Sequence, residues 1–73
     1  MEINAKEIGA RLKELRGSRS IAEVAKDLNI SNSALCMYEN GERIPRDSIK
    51  IKIANYYGMK IGVIFFNENA HRE

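Results

Sequence analysis

Apolar side chains recur along this chain at intervals of three and four residues, the spacing that places them on one face of an α-helix. Ile8, Leu12 and Leu15 form the first such face, and Gly17 follows as a helix-ending residue. The pattern predicts five helices, over residues 4–16, 21–28, 32–38, 47–57 and 61–66, with a frayed tail at 67–73. We therefore expect an all-α fold.

The second and third predicted helices are close in sequence, and each carries its own start signal. Ser20 and Glu23 have the spacing of a capping box, and Ser31 can cap the helix that follows. Asn29 stands at the turn, where a left-handed backbone is needed and Gly or Asn is the usual residue. The apolar seam between the two helices is supplied by Val24, Leu28, Ile30, Leu35 and Tyr38. Two helices that cross around so short a turn leave one of them prominent on the surface, as in proteins that probe the DNA major groove.

Length and composition restrict the class of protein. A chain of 73 residues favours one small domain spanning residues 1–73, with its core at about 4–66. A net charge of +2 is weak evidence for a nucleic-acid partner, because many soluble proteins have the same charge. The single Cys36 permits no internal disulfide, which suits a reducing cytosol. With no apolar run long enough to cross a bilayer and no signal peptide, the sequence predicts a cytoplasmic protein that has no membrane partner.

Four segments occur together in a fixed order: LKELR, EVAKDLNIS, SALCMYENGERIP and IKIANYYG. In this order they resemble the Cro/CI-type helix-turn-helix family of phage and bacterial repressors, also called the XRE family. The resemblance extends from about Ile8 to Phe66, nearly the whole chain. It implies a compact five-helix, lambda-repressor-like DNA-binding domain with a central helix-turn-helix, which binds double-stranded operator DNA as a dimer.

The sequence departs from the family pattern at three places. The connection between the first two predicted helices is short, as if trimmed by two residues. Family members commonly have Gln after the cap of the second helix, where it bonds a phosphate, and this chain has Ile21. In the third helix, Cys36 replaces a common small Ser. The fold tolerates all three changes, but the usual phosphate contact of the Gln is lost.

Candidate base contacts lie on the third predicted helix. Asn32 and Ser33 stand in its first turn, where Asn can pair with adenine and Ser with several base edges, unless they are only solvated residues after a cap. Met37 lies one turn further, and the resemblance favours its packing on a thymine methyl group; an exposed Met without a role is the alternative. Cys36 beside it is interpreted as a small residue near DNA, with a redox switch as the alternative. His71 lacks partners at metal-ligand spacing, so we expect no metal and no cofactor.

Candidate contacts to the DNA backbone surround this helix, because phosphate donors position a protein on the duplex. They are Ser20, Ser31, Arg19, Asn40 and Arg43. The alternative for Asn40 and Gly41 is a plain turn. Arg46 follows the only proline, and the resemblance implies that it enters the minor groove; the alternative is a solvated Arg near Asp47.

Other charged residues are assigned structural or solvated positions. By resemblance, Arg16 and Glu39 form a partly buried ion pair behind the third helix. Arg11, with the other charges of the first helix, is expected on a solvated face that includes a few helical pairs. Lys50 and Lys52 have the same interpretation.

The last predicted helix is apolar on more than one side. Ile61, Ile64 and Phe65 are expected to close the core, which leaves Val63 and Phe66 as an exposed apolar patch. The resemblance implies pairing through this region, so we predict a homodimer with Val63 and Phe66 at its interface. The alternative is that Phe66 packs under the fourth helix.

These observations favour a sequence-specific transcriptional regulator, most simply a repressor that binds a palindromic operator. An antitoxin or restriction-controller regulator has the same chemistry, with a toxin or a second repressor as a possible partner protein. A third alternative is a protein-interaction module that keeps the fold, supported only by the apolar character of Ile21, Cys36 and Met37. An enzyme is not expected, because the sequence has no clustered acid and base residues and no Gly-rich phosphate loop.

Overall fold

The computed structural model describes residues 4–67, and these residues form five α-helices without a β-strand. In chain order the helices are α1 (Ala5–Arg16), α2 (Ile21–Leu28), α3 (Asn32–Glu39), α4 (Asp47–Tyr57) and α5 (Ile61–Phe65). The predicted all-α, five-helix fold is therefore confirmed. Most of the predicted tail, including His71, lies outside the described residues.

Three helix ends differ from the predicted bounds by one residue. Asn4 precedes α1 in an extended conformation, and its side-chain oxygen accepts hydrogen bonds from the N–H groups of Lys6 and Glu7. It therefore caps the helix rather than starting it. At the other two ends α3 includes Glu39, whereas Phe66 has left helical geometry and follows α5.

One core joins all five helices. Its buried apolar residues are Ile8, Leu12, Val24, Ala25, Leu28, Leu35, Tyr38, Ile53, Ala54, Ile64 and Phe65. Ile30 and Ile61 are only partly buried and pack against this cluster from its edge. The seam predicted between the second and third helices is thus part of the main core, which fixes α3 in place from behind.

The turn between α2 and α3 has the geometry that its sequence predicts. Asn29 adopts the left-handed conformation, with φ 61° and ψ 44°. Its N–H donates to the Lys26 carbonyl, and the N–H of Ile30 donates to the Ala25 carbonyl, both at 3.0 Å. Ser31 then caps α3 through its side chain. A left-handed residue that ends one helix and a cap that starts the next make the short turn possible.

The backbones of α1 and α3 approach closely at Gly9, a residue to which the sequence analysis gave no role. A β-carbon placed on Gly9 would lie 2.4 Å from the Glu39 carbonyl oxygen and 2.7 Å from that of Tyr38. Backbone atoms at these distances cannot move aside as a flexible side chain can. Gly9 is therefore required for α3 to pack against α1 at this distance.

Three cations that were expected on solvated faces make tertiary contacts. For Lys50 the expectation is wrong: the residue is only 8% exposed, and its ammonium lies 5.0 Å from the centre of the Phe66 ring. The ammonium of Lys52 donates to the Leu28 carbonyl at the end of α2, at 3.0 Å. The guanidinium of Arg11 donates to the Ile64 carbonyl at 2.6 Å and to the side-chain oxygen of Asn67. Long side chains cover apolar surface and reach helix ends, which periodicity alone does not reveal.

Candidate nucleic-acid interface

Helix α3 has an inner face and an outer face with different chemistry. Leu35, Tyr38 and Glu39 are buried on the inner face. Asn32 and Ser33 are exposed in the first turn of the helix, and Cys36 and Met37 are half-buried one turn further on. The four candidate base contacts are thus accessible, with the two polar residues closest to the N-terminal end. The N-terminal end is also the part of a recognition helix that reaches base edges.

The N-termini of α2 and α3 are capped in the same way. The Ser20 hydroxyl accepts from the N–H of Glu23, and the Ser31 hydroxyl accepts from the N–H of Ala34, each at 3.0 Å. In both helices the N–H groups ahead of the capped one have no intrahelical acceptor. They point along the positive end of the helix dipole, so each N-terminus can bind an anion such as a phosphate.

Arg16 and Glu39 form a two-pronged ion pair between α1 and α3. The Arg16 Nε–H donates to one Glu39 carboxylate oxygen at 2.8 Å, and an Nη2–H donates to the other at 2.9 Å. A third guanidinium nitrogen, Nη1, donates to the Arg19 carbonyl at 2.8 Å. The hydrogen bond to Glu39 raises the pKa of Arg16 further above its usual range. The pair satisfies a buried carboxylate and fixes the C-terminal end of α3.

Beyond α3, the chain turns at Asn40 and Gly41 and presents two further arginines. Gly41 has φ 76°, and a β-carbon there would lie 2.9 Å from the Lys6 α-carbon, so the turn is one that Gly alone accommodates readily. Asn40, Arg43 and Arg46 are exposed. Arg46 precedes α4 in an extended conformation and makes no side-chain cap. A guanidinium has donors only and cannot accept from the N–H groups that open α4, so the exposed side chain has no role in starting this helix.

Arg19 has a different environment from the other candidate phosphate contacts. Its guanidinium lies 5.3 Å and 5.5 Å from the ring centres of Tyr56 and Tyr57. It also donates to the Tyr56 hydroxyl at 3.2 Å and to the Leu15 carbonyl at 3.3 Å. A cation stacked on aromatic rings with donors directed into the protein holds the loop ahead of α2 in place. Arg19 is thus engaged in intramolecular contacts at the position where a phosphate contact was expected.

Tyr56 links this loop to the far end of α2, a connection that sequence reasoning missed. Its hydroxyl donates to a carboxylate oxygen of Asp27 at 2.8 Å. The hydrogen bond to Asp27 raises the pKa of Tyr56 above its ordinary value, and burial does the same to the pKa of Tyr57. Asp27 and Tyr56 are 29 positions apart in sequence, so no local spacing could have identified the pair.

The apolar surface at α5 contains both residues of the predicted dimer interface. Val63 is half-buried, and Phe66 is 42% exposed even though Lys50 of α4 lies over its ring. Beside Val63, a cleft of about 170 Å³ opens between α1 and α5; it is lined by Arg11, Glu14, Leu15, Met59, Val63 and Ile64. Two further apolar residues that the sequence analysis did not single out, Ile44 and Ile51, are 41% and 52% exposed.

Two other site classes were checked in the part of the chain that the structure describes. Within residues 4–67, no three His, Cys, Asp or Glu side chains are grouped so that they could hold a metal ion. None of the five helices in that range is long and apolar enough to cross a membrane. The candidate site that these residues do present is the outer face of α3 with the two capped helix N-termini.

Comparison with known proteins identifies the family. A family model described as helix-turn-helix matches residues 12–64, which is most of the chain and includes the whole of α2, α3 and α4. No curated protein matches the chain. On the family match and the five-helix architecture, the chain belongs to the Cro/CI-type, or XRE, family of helix-turn-helix proteins and is a DNA-binding transcriptional regulator.

Proposed function

We propose that this protein is a cytoplasmic transcriptional repressor, a single domain that binds a palindromic operator as a homodimer. The observation that carries the proposal is the outer face of α3, where Asn32 and Ser33 are exposed in the first turn. A capped N-terminus next to these residues would meet the backbone while the side chains meet the bases. Repression then follows from occlusion of a promoter by the bound dimer.

Sequence is read by the four accessible side chains of α3. The Asn32 amide pairs with N6 and N7 of an adenine, and the Ser33 hydroxyl bonds a neighbouring base edge. Met37 packs on a thymine methyl group, with Cys36 beside it as a small contact. The half-buried positions of Cys36 and Met37 support apolar contacts of limited reach at the edge of the groove.

Affinity is supplied mainly by contacts to the DNA backbone. The hydroxyls of Ser20 and Ser31 and the first-turn N–H groups of α2 bind phosphates. Asn40 and Arg43, exposed beyond α3, bind the strand on the other side. Because Ile21 cannot replace the phosphate-binding Gln of its relatives, the backbone N–H groups at this end carry more of the contact. Exposed Arg46 enters the minor groove at the centre of the operator.

The dimer forms through Val63 and Phe66. An apolar ring that remains 42% exposed beside a half-buried valine supports a partner surface at α5. An isologous pairing there places the two α3 helices about 34 Å apart, one turn of DNA. Control is then exerted by protein concentration, by dimerisation or by competition with a second repressor or a toxin.

Selection of duplexes from a randomised DNA pool by the purified protein tests this function. The expected result is an enriched palindrome whose half-sites lie one helical turn apart, with affinity that falls steeply as salt rises because counterions are released. Sedimentation of the protein on the selected duplex should show two chains per operator. Binding to no duplex would refute the proposal and favour a protein-interaction module, and one chain per site would refute the dimer.

A further inference from the structure

Helix α4 contacts α2 at both ends through polar side chains. Near the start of α2, the Tyr56 hydroxyl accepts a hydrogen bond from the guanidinium of Arg19, the residue before the Ser20 cap. Near its end, the same hydroxyl donates to Asp27, and the ammonium of Lys52 donates to the Leu28 carbonyl. One phenol oxygen therefore bridges the loop before α2 and the last turn of α2.

The packing of α2 makes this bridge important for the direction of the helix. The buried residues of α2 are Val24, Ala25 and Leu28, none of them among its first three residues. In the first turn Ile21 is half-buried and Ala22 is exposed. Full burial thus holds α2 from Val24 onward. At the N-terminal end only the half-buried Ile21 packs against the core, and the contacts that hold Arg19 against α4 add to it.

The phosphate contact expected at this N-terminus is sensitive to direction. A long side chain such as Gln can adjust its rotamer to reach a phosphate, but backbone N–H groups move only with the helix. Hydrogen bonds from N–H to oxygen require about 2.7–3.2 Å between heavy atoms. A tilt of α2 that moves its first N–H groups by a fraction of an ångström therefore weakens these bonds. This chain has Ile21 where family members commonly have a phosphate-binding Gln. The phosphate contact therefore requires that the orientation of α2 itself is fixed.

We infer that Tyr56 is a positioning residue for DNA binding, which sets the direction of the α2 N-terminus by bridging Arg19 and Asp27. This inference rests on the proposed function. Tyr56 itself touches no DNA in this arrangement; it acts through the backbone N–H groups of the first turn of α2. The two tyrosine rings under the Arg19 guanidinium, 5.0 Å apart and edge to face, complete the support of the loop.

The test compares Tyr56→Phe with wild type on the selected operator duplex, by fluorescence anisotropy over a range of salt concentrations and well below both melting temperatures. Loss of one phosphate contact per half-site should weaken binding about 3- to 10-fold. The salt slope should stay as in wild type, because neutral backbone N–H groups release no counterions. Tyr57→Phe is the matched control, because no hydrogen bond of the Tyr57 hydroxyl is found within residues 4–67. It should stay within about twofold of wild type, with an unchanged slope.

A second pair of variants separates positioning from general stability. Asp27→Asn keeps an oxygen that accepts from Tyr56, whereas Asp27→Ala does not, and the two carry the same charge. Asp27→Ala should therefore bind about as weakly as Tyr56→Phe, and Asp27→Asn more tightly than Asp27→Ala. The double variant Asp27→Ala, Tyr56→Phe should lose no more than either single variant, because both remove the same bridge.

The outcomes distinguish this inference from the proposed function. If wild type binds its operator and Tyr56→Phe only lowers the melting temperature, with operator affinity unchanged, Tyr56 stabilises the fold and positions nothing. Equal affinities of Asp27→Ala and Asp27→Asn would overturn the inference in the same way. If wild type selects no duplex at all, the proposed function fails, and this inference fails with it.

Discussion

The ion pair between Arg16 and Glu39 predicts an unequal response to removal of its two partners. Arg16→Ala would leave the Glu39 carboxylate, whose side chain is 3% exposed, without the two hydrogen bonds that the guanidinium donates to it. An uncompensated buried charge costs about 3–5 kcal/mol. A chain of 73 residues has a total stability of about 4–11 kcal/mol, so Arg16→Ala should remove a large share of the free energy of unfolding.

Glu39→Ala should cost less. The Arg16 side chain is 18% exposed and long enough to turn its guanidinium toward water, and it keeps the Arg19 carbonyl as an acceptor. The loss then approximates that of the charged hydrogen bonds alone, about 1.5–3 kcal/mol. The difference between the two variants should exceed about 1 kcal/mol. Replacing both residues with Met should recover much of the loss, because no charge is left buried.

Urea unfolding followed by far-UV circular dichroism at neutral pH measures all three free energies of unfolding. Equal losses for the two alanine variants, or losses of both below about 1 kcal/mol, would show that the carboxylate finds solvent and that the pair does not fix α3. Operator affinity of the folded Glu39→Ala protein serves as the control for recognition. Because Glu39 is buried on the inner face of α3, its replacement should lower operator affinity only by changing the position of α3.

Other parts of the molecule give three further predictions. Gly9→Ala should destabilise the fold by about 1–3 kcal/mol in thermal melts, because the added β-carbon meets the backbone of Glu39 and Tyr38. A gain of about 1 kcal/mol, which helix propensity alone predicts, would contradict the close approach of α1 and α3. Asn32→Ala should cost about 1–3 kcal/mol of binding free energy at one base pair and relax specificity there, whereas Arg43→Ala should weaken binding to all duplexes equally and lower the salt slope. An equal loss on every duplex from Asn32→Ala would show that Asn32 does not contact a base. Because the folded state raises the pKa of Tyr56 and Tyr57, their contribution to stability should be complete below about pH 10 and fall as pH rises further. Urea midpoints measured against pH should fall less steeply for Tyr56→Phe than for wild type, and an identical fall would exclude this linkage.

The helices and their caps were predictable because their signals are local. Asn29 and Ser31 each act within a few residues of their own position, so the turn between α2 and α3 follows from neighbouring side chains. The pairing of Arg16 with Glu39 came from resemblance to a family, since nothing in the sequence between these residues, 23 positions apart, indicates a contact.

The remaining features arise only when distant segments meet. Gly9 is an ordinary helix residue in sequence, and its role depends on the backbone of α3 lying against α1. Lys50 was expected on a solvated face because Lys is rarely buried. Its ammonium instead lies 6.0 Å and 5.0 Å from the ring centres of Phe65 and Phe66. The bridge through Tyr56 needs α4 to lie across both ends of α2. None of these contacts has a periodic pattern in the sequence.

Because α3 has one buried and one exposed face, substitutions that change the DNA sequence it binds can be separated from those that affect folding. The residues that hold the helix in place, Leu35, Tyr38 and Glu39, share no position with the exposed Asn32 and Ser33. Exposed substitutions away from caps and cores usually change stability by less than about 0.5 kcal/mol. Random variation of those two exposed positions should therefore yield a library in which nearly every member folds. Such a library could be sorted for new operators directly, without first repairing the scaffold.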